Sequence, residues 1–488
     1  MSRMTRKTGI NESGGMFAAW NYPEVSSLVY MGLHALQHRG QTSAGIVTSD
    51  EEETYIRHDL GLVQQVFDSK ESISPLKGKH GIGQVRSASE HDYKENTNIQ
   101  PFMFKFQNRN ISVSFNGNVT NAYTLRSELE KLGAVFQSDS SAELLVHLIC
   151  HANGETFEEN LQEALAKITG AYNFMLLTTE GLFAISDDHN FHTLEVGKLG
   201  ENQYVVASET CALDLVGASF IQEIPAGHYV KINDAGIQNV PYSKNAETKI
   251  EPMEFIYFAR PDSTIGGVNV HHARKNMGVQ LAKEAPAPSA DIVIGIPNSS
   301  LSAATGYAEE VDLPYELGLV KHQYIGRTFI EPTQAQREVK VRRKLAVVKE
   351  IIKDKSVVVV DDSIVRGTTI LHIVKMLREA EAKEVHIRIA APMIRFPNYY
   401  GIDLKSSDEL YAARYDLETM NENFGSDSLA FLSTDGLVQS VPFSGEYSDY
   451  DLSLSSFNGN YIEDIGEYQS SFDQKLTDIQ KNILKENN

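Results

Sequence analysis

Cysteine is almost missing from this chain, with two in 488 residues, Cys150 and Cys211. Two thiols cannot build a disulfide framework or a Cys-based zinc or iron–sulfur site. Both lie in or beside apolar runs, Val-His-Leu-Ile-Cys and Glu-Thr-Cys-Ala-Leu, and read as free core thiols. No apolar run approaches the roughly 18 residues that span a bilayer. The opening Met-Ser-Arg-Met-Thr-Arg-Lys is charged, but no apolar stretch follows it, so it does not read as a secretory signal. A cytoplasmic location without membrane attachment is expected. Positive charge is also scarce, with 44 Lys plus Arg against 65 Asp plus Glu and a formal charge of −21. Such a surface repels nucleic acid, and polyanion binding requires a local basic patch.

What is present is ordinary globular material, 41% hydrophobic and 22% charged, in a length that predicts two to four domains. Up to about residue 245, short strand-like runs dominate, among them Ile111-Ser-Val-Ser-Phe, Phe174-Met-Leu-Leu-Thr and Tyr204-Val-Val-Ala. Helical stretches around Val25–Gln37 and Ala142–Ala152 interrupt them, which predicts an α+β layered domain. The polar run Lys244-Asn-Ala-Glu-Thr-Lys249 is a candidate boundary. Beyond it, β-branched runs at 290–297, 356–360 and 385–390 alternate with helical patterns at 273–284, 302–310 and 368–382, the mark of a parallel sheet covered on both faces. From about residue 405 acidic and polar residues prevail, ending in an amphipathic helix expected over 472–485.

The segment Val357-Val-Val-Val-Asp-Asp-Ser-Ile-Val-Arg-Gly-Thr-Thr369 carries the chemistry. Four valines predict a buried parallel strand, and Gly367-Thr-Thr begins a turn into a helix. Ligands of parallel sheets gather at the carboxyl ends of strands. There the loop offers backbone N–H groups, two Thr hydroxyls and a helix dipole to a phosphate. The adjacent carboxylates of Asp361 and Asp362 suit a ligand that also carries hydroxyls or a divalent cation. A sugar phosphate with vicinal hydroxyls meets both needs.

The whole run of thirteen fits a phosphoribosyltransferase signature. With Tyr257-Phe-Ala-Arg-Pro-Asp-Ser263, Arg274-Lys-Asn-Met-Gly278, Gly295-Ile-Pro-Asn-Ser-Ser300 and Lys321-His-Gln-Tyr-Ile-Gly-Arg-Thr-Phe-Ile330, the chain resembles the glutamine phosphoribosylpyrophosphate amidotransferases, which open purine synthesis by making phosphoribosylamine. The likeness implies an N-terminal-nucleophile-type (αββα) glutaminase-like domain followed by an α/β type I phosphoribosyltransferase domain. The bounds expected are a retained leader at 1–13, the glutaminase-like domain at 14–245, the transferase at 246–470 and a C-terminal tail at 471–488. It implies that Asp361, Asp362, Ser363, Ile364, Val365, Arg366, Gly367, Thr368 and Thr369 bind phosphoribosyl pyrophosphate, and that Ser299, Asp361 and Asp362 serve a Mg²⁺ site. Asn298 replaces the family's usual Asp in the pyrophosphate-side loop. Lys321, Tyr324 and Arg327 open a basic stretch continuing through Arg337, Lys340, Arg342, Arg343 and Lys344, which reads as a lid over the pyrophosphate.

In this family the first domain liberates ammonia with an N-terminal Cys. That position is Gly14, which has no side chain to attack an amide. Arg39, Arg86, Asn116 and Gly117 still match the glutamine pocket and oxyanion donors. Ser141 stands where the family has an Asp, Phe115 where it has a His, and His192 near the Arg of a lost Gly-x-Arg-Pro-Leu pattern. The glutaminase is therefore expected to be silent, its site vestigial. The positions matching the four cysteines that hold an iron–sulfur cluster in some members are Glu251, Asn398, Gln439 and Pro442, so no cluster is expected. The expected reaction uses free ammonia or ammonia from a partner. The alternatives are a catalytically silent regulator of an active paralogue, or a transferase for another amine. The likeness also implies homo-oligomers and feedback inhibition by purine nucleotides.

Overall fold

The computed structural model describes residues 12–50, 52–87, 96–106, 109–322, 345–404 and 406–486. The first half is built on two antiparallel sheets. One has seven strands in the order Ser219–Glu223, Glu195–Gly200, Gln203–Ala207, Ser13–Trp20, His80–Ser87, Ser43–Ser49 and Thr54–Leu60. The other has six, in the order Gly236–Pro241, His228–Asn233, Gly181–Ser186, Gly170–Thr178, Arg109–Val119 and Phe102–Phe106.

Side-chain alternation along each strand divides the burial between two faces. From the first strand Met16, Ala18 and Trp20 enter one apolar cluster with Met175, Leu182 and Ala184 of the other sheet, which is the sheet-on-sheet layer. Phe17 and Ala19 point the opposite way, against Leu28, Val29 and Leu33 of the helix Val25–Ala35. On the far side Phe115, Phe174 and Phe183 pack with Leu144, Leu148 and Leu161 from the helices Ser141–Cys150 and Phe157–Leu165. The order helix, sheet, sheet, helix is the expected αββα arrangement.

The second half centres on a four-stranded parallel sheet, ordered Ile292–Gly295, Ser356–Asp361, Glu384–Ile389 and Ser428–Phe431. The valine run splits by parity. Val357 and Val359 join Ile370, Ile373 and Leu377 of the helix Thr368–Glu379. Val358 and Val360 join Met277, Leu281, Ala304 and Tyr307 of the helices Val270–Glu284 and Leu301–Glu310. Both faces are therefore covered, as an all-parallel sheet requires. Two features depart from the sequence reading. The polar region after 405 contributes the edge strand Ser428–Phe431. The final helix is two, Gln469–Lys475 and Asp478–Glu486, because Thr477 and Gln480 form a reciprocal cap at the break.

Candidate active site

The strand Ser356–Asp361 lies inside the parallel sheet and delivers Asp361 and Asp362 to its carboxyl end. Both carboxyls are buried. The Asp362 N–H donates to Asp361 Oδ1 at 3.0 Å, Ser363 Oγ donates to Asp362 Oδ1 at 2.7 Å, and Ser299 Oγ donates to Asp362 Oδ2. Burial holds Asp361 well above the usual carboxylate range, and the neighbouring Asp362 pushes the same way. Burial also raises Asp362, against the pull of Ser299, Ser363 and the Arg274 guanidinium. Two carboxylates that resist ionising together form a set that a divalent cation would relieve. Among the described residues no group of three or more His, Cys, Asp or Glu side chains could cage a metal. Two carboxylates and a hydroxyl fit Mg²⁺, which keeps several waters and is usually shared with substrate phosphates.

The loop then rises into the twelve-residue helix Thr368–Glu379. Its N-cap is Gly367, with φ +72°, so no side chain caps the first turn, where Thr368 and Thr369 are exposed. Open N–H groups at a helix start are an anion site when a ligand supplies the oxygens. A Cβ at Gly367 would lie 3.1 Å from the rings of Phe424 and Tyr411, so glycine answers to space as well as to φ. Other members of the loop face elsewhere. Ile364 is buried in the core, the Val365 carbonyl accepts from Tyr411 N at 2.7 Å, and Arg366 pairs with Glu409 at 2.8 Å on the surface. Ser299 approaches from the loop after Ile292–Gly295, while Asn298 in that loop is exposed. Arg274 is spent on the carbonyls of Phe255 (2.6 Å) and Ala259 (2.8 Å), which makes it a staple for the 257–263 segment.

Lys321 ends the strand Leu319–Lys321, paired antiparallel with Leu345–Val347 so that Lys321 faces Leu345. Tyr324, Arg327 and the basic residues from Arg337 to Lys344 lie outside the described residues.

In the first half, Gly14 sits near the start of the strand Ser13–Trp20, in register with Arg86. A Cβ there would meet the Val85 carbonyl oxygen at 2.3 Å, which no real Cβ tolerates. Gly14 N donates to Asn116 Oδ1 at 2.8 Å. Gly117 exchanges two backbone hydrogen bonds with Glu12, each 2.8 Å. Arg86 is buried beside the Glu12 carboxylate. Phe115 packs against Phe174 with tilted rings, 4.7 Å between centroids, in the core between sheet and helices, so its identity does not shape the pocket that Asn116 faces. The pocket is a cleft of only about 10 Å³ lined by Gly14, Arg39, Asn116, His192, Glu254 and Gly401, among others.

Arg39 does not reach into open space. Its guanidinium is divided between Glu209 and Glu254, one carboxylate from each half of the chain. Glu254 also accepts from His192 Nδ1 at 2.8 Å, while His192 Nε2 bonds the Tyr400 carbonyl at 2.8 Å. With acceptors on both nitrogens the ring carries two protons, and His192 titrates above its ordinary value although burial opposes it. Burial pushes Glu254 up, but Arg39 and His192 outweigh it and pull Glu254 down to about 2. Sequence reasoning missed Glu12, Glu209 and Glu254. Only Glu254 gave a signal, its place three residues before the Tyr257–Ser263 motif. At the positions matching cluster cysteines, Asn398 Nδ2 donates to Glu251 at 2.9 Å, while Gln439 and Pro442 are exposed.

Comparison with known proteins bears on this geometry. Residues 86–215 match the glutamine amidotransferase domain family, and residues 280–398 the phosphoribosyl transferase domain family. An amidophosphoribosyltransferase of Staphylococcus aureus is 48% identical over 485 residues, 99% of this chain and 98% of the relative. The chain belongs to the amidophosphoribosyltransferase family. A Bacillus subtilis amidophosphoribosyltransferase is 44% identical over 460 residues, 94% of this chain and 95% of that one. A solved structure, the B. subtilis glutamine phosphoribosylpyrophosphate (PRPP) amidotransferase complexed with ADP and GMP, superposes with a TM-score of 0.87 at 44% identity, covering 92% of this chain and 98% of that one. Another, described as the allosteric regulatory enzyme of purine biosynthesis, gives 0.87 at 43% identity, with 92% and 96% covered. Membership makes the chain an enzyme of the phosphoribosyltransferase class in purine biosynthesis, with a glutamine amidotransferase-type domain ahead of the transferase domain. Among the described residues no helix is long and apolar enough to cross a membrane.

Proposed function

We propose that the chain joins ammonia to the ribose of phosphoribosyl pyrophosphate, releasing pyrophosphate and giving phosphoribosylamine, and that its first half no longer supplies that ammonia from glutamine. The transferase reading rests on the buried Asp361–Asp362 pair beside the open first turn at Thr368. The carboxylates hold ribose hydroxyls and cation. Thr368, Thr369 and the N–H groups after Gly367 hold the 5′-phosphate. Lys321, Tyr324 and Arg327 close on the pyrophosphate and exclude water. Asp361, Asp362 and Ser299 would hold Mg²⁺, which would supply charge neutralisation at the leaving group. Catalysis is positioning and electrostatics, without a side-chain nucleophile.

The single observation behind the silent glutaminase is Gly14: the position has no thiol, and a Cβ there would collide with Val85 O. The 48% identity to a named amidophosphoribosyltransferase favours the full glutamine-dependent reaction as the second reading. That reading requires a nucleophile other than residue 14. We further propose that purine nucleotides inhibit the chain, given the ADP and GMP bound to the B. subtilis protein, and that it assembles as a homo-oligomer in the cytoplasm. The deciding assay follows pyrophosphate release from phosphoribosyl pyrophosphate with Mg²⁺, in parallel with ammonium at high pH and with glutamine. Turnover is expected with ammonium alone. Turnover with glutamine refutes the silent glutaminase, and no turnover with ammonium refutes the transferase assignment.

A further inference from the structure

The surroundings of Arg86 include a carboxylate that belongs to the chain itself. Glu12 is fully buried, two residues before Gly14. Its carboxylate accepts the backbone N–H of Ser141 at 2.9 Å, Ser140 Oγ at 2.9 Å and Gln100 Nε2, and it lies 3.9 Å from Arg86 Nε. Ser140 is the N-cap of the ten-residue helix Ser141–Cys150, so the helix dipole also favours the negative charge. Among the described residues Arg86 Nε and Nη2 have no hydrogen-bond partner, although Arg86 is 3% exposed. A buried guanidinium calls for a carboxylate close by, and Glu12 is the one at ion-pair distance, with no hydrogen bond between the two. The backbone closes the other end: Glu12 and Gly117 exchange two hydrogen bonds, which consumes the Gly117 N–H, and Asn116 Oδ1 is taken by Gly14 N.

We propose that Glu12 is a built-in ligand, its side chain filling the carboxylate subsite at Arg86, Ser140 and Ser141 that would otherwise receive the α-carboxylate of a free amino acid. Identifying that free ligand as an amino acid rests on the reading of the first half as a vestigial glutaminase. The carboxylate subsite itself does not. Glu12 thereby keeps the strand that begins at Ser13 tied to the sheet through Gly117. It also closes that subsite to the carboxylate of glutamine, independently of the missing thiol.

The test uses the full chain with Glu12→Ala and Glu12→Gln, and sodium acetate as the probe against sodium chloride at equal ionic strength. Glu12→Ala empties the subsite, so it should lose stability and regain it in acetate, with a folding constant raised roughly tenfold at about ten times the acetate dissociation constant. The unaltered protein and Glu12→Gln, whose side chain still fills the space, should respond to acetate no more than to chloride. Equal responses from all three, or no acetate effect on Glu12→Ala, overturn the proposal. If Glu12→Ala folds only in acetate the proposal stands, and if it folds in neither salt the proposal falls. Intact mass showing a mature chain that begins at Gly14 also overturns it, because Glu12 would be gone. Failure of ammonium-dependent turnover would count against the proposed function and leave the acetate result untouched.

Discussion

A cysteine placed at position 14 should not confer glutaminase activity, and the reason is steric before it is chemical. The new Cβ would begin 2.3 Å from Val85 O, against a practical minimum of 3.0 Å, so backbone must move by at least about 0.7 Å. The atom in the way is a carbonyl of the adjacent strand His80–Ser87, which is itself paired on its other edge with Ser43–Ser49. Neither strand can yield alone. Overpacking of this kind costs about 1–3 kcal/mol, while loss of glycine's freedom in the unfolded chain returns about 0.4–1 kcal/mol. A net destabilisation of about 1–2 kcal/mol follows, a factor of roughly 5–30 in the folding constant. Gly14→Ala tests the steric part without a thiol. Trp20, the single tryptophan, lies on the same strand against His80, so its fluorescence reports urea unfolding of this half. An unchanged midpoint for Gly14→Ala, or ammonia released from glutamine by Gly14→Cys, would refute the reasoning.

Asp362→Asn should lower ammonium-dependent turnover about 100-fold or more, with the loss undiminished at saturating phosphoribosyl pyrophosphate, since the charge acts on the departing pyrophosphate; steady-state kinetics separate kcat from KM. Gly367→Ala forces a side chain into φ +72° against two aromatic rings and should cost about 1–2 kcal/mol while weakening phosphoribosyl pyrophosphate binding, measured by calorimetry. Arg39→Ala leaves two buried carboxylates short of a partner and should destabilise by about 3–5 kcal/mol in urea titration. The same network sets a pH window. Glu254 has its folded pKa lowered from 4.5 to about 2, so its contribution is present above 4.5 and is lost as pH falls toward 2. His192 is raised from 6.5, so its contribution is complete below 6.5 and is lost as pH rises through the higher folded value. Urea midpoints should therefore fall on both sides of that interval, and Glu254→Gln should make the slope on the acid side shallower, the rest coming from Glu209, which Arg39 also holds below its ordinary value.

The strand Ser356–Asp361 and its turn into the helix Thr368–Glu379 were legible because their signal is local: one apolar run, two carboxylates and a glycine within thirteen residues. The layered first half was legible for a similar reason, since strand parity shows which residues share a face. What escaped was set by distance along the chain. Nothing near Arg39 in sequence says that its partners are Glu209 and Glu254. Glu12 stands in a polar stretch whose pattern predicts exposure. The strand Ser428–Phe431 is four residues inside an acidic region, and only the open edge of Glu384–Ile389 gives it a place. Phe115 went the other way: a residue that looked like part of an eroded pocket is a core ring, because Asn116 next to it takes the opposite face.

The contacts between the two halves have an evolutionary consequence. Asn118 donates to the Tyr399 carbonyl at 2.8 Å and accepts from Tyr468, Thr120 donates to the Asp464 carbonyl, and Glu254 holds Arg39 and His192 together. Whatever chemistry the first half performs, it is not free to be trimmed away. Its deletion would strand Glu254 without counter-charge and bare the apolar underside of Tyr400, which stacks on Phe191. Selection on the transferase alone is then enough to preserve the whole neighbouring architecture, whether or not the first half performs chemistry of its own.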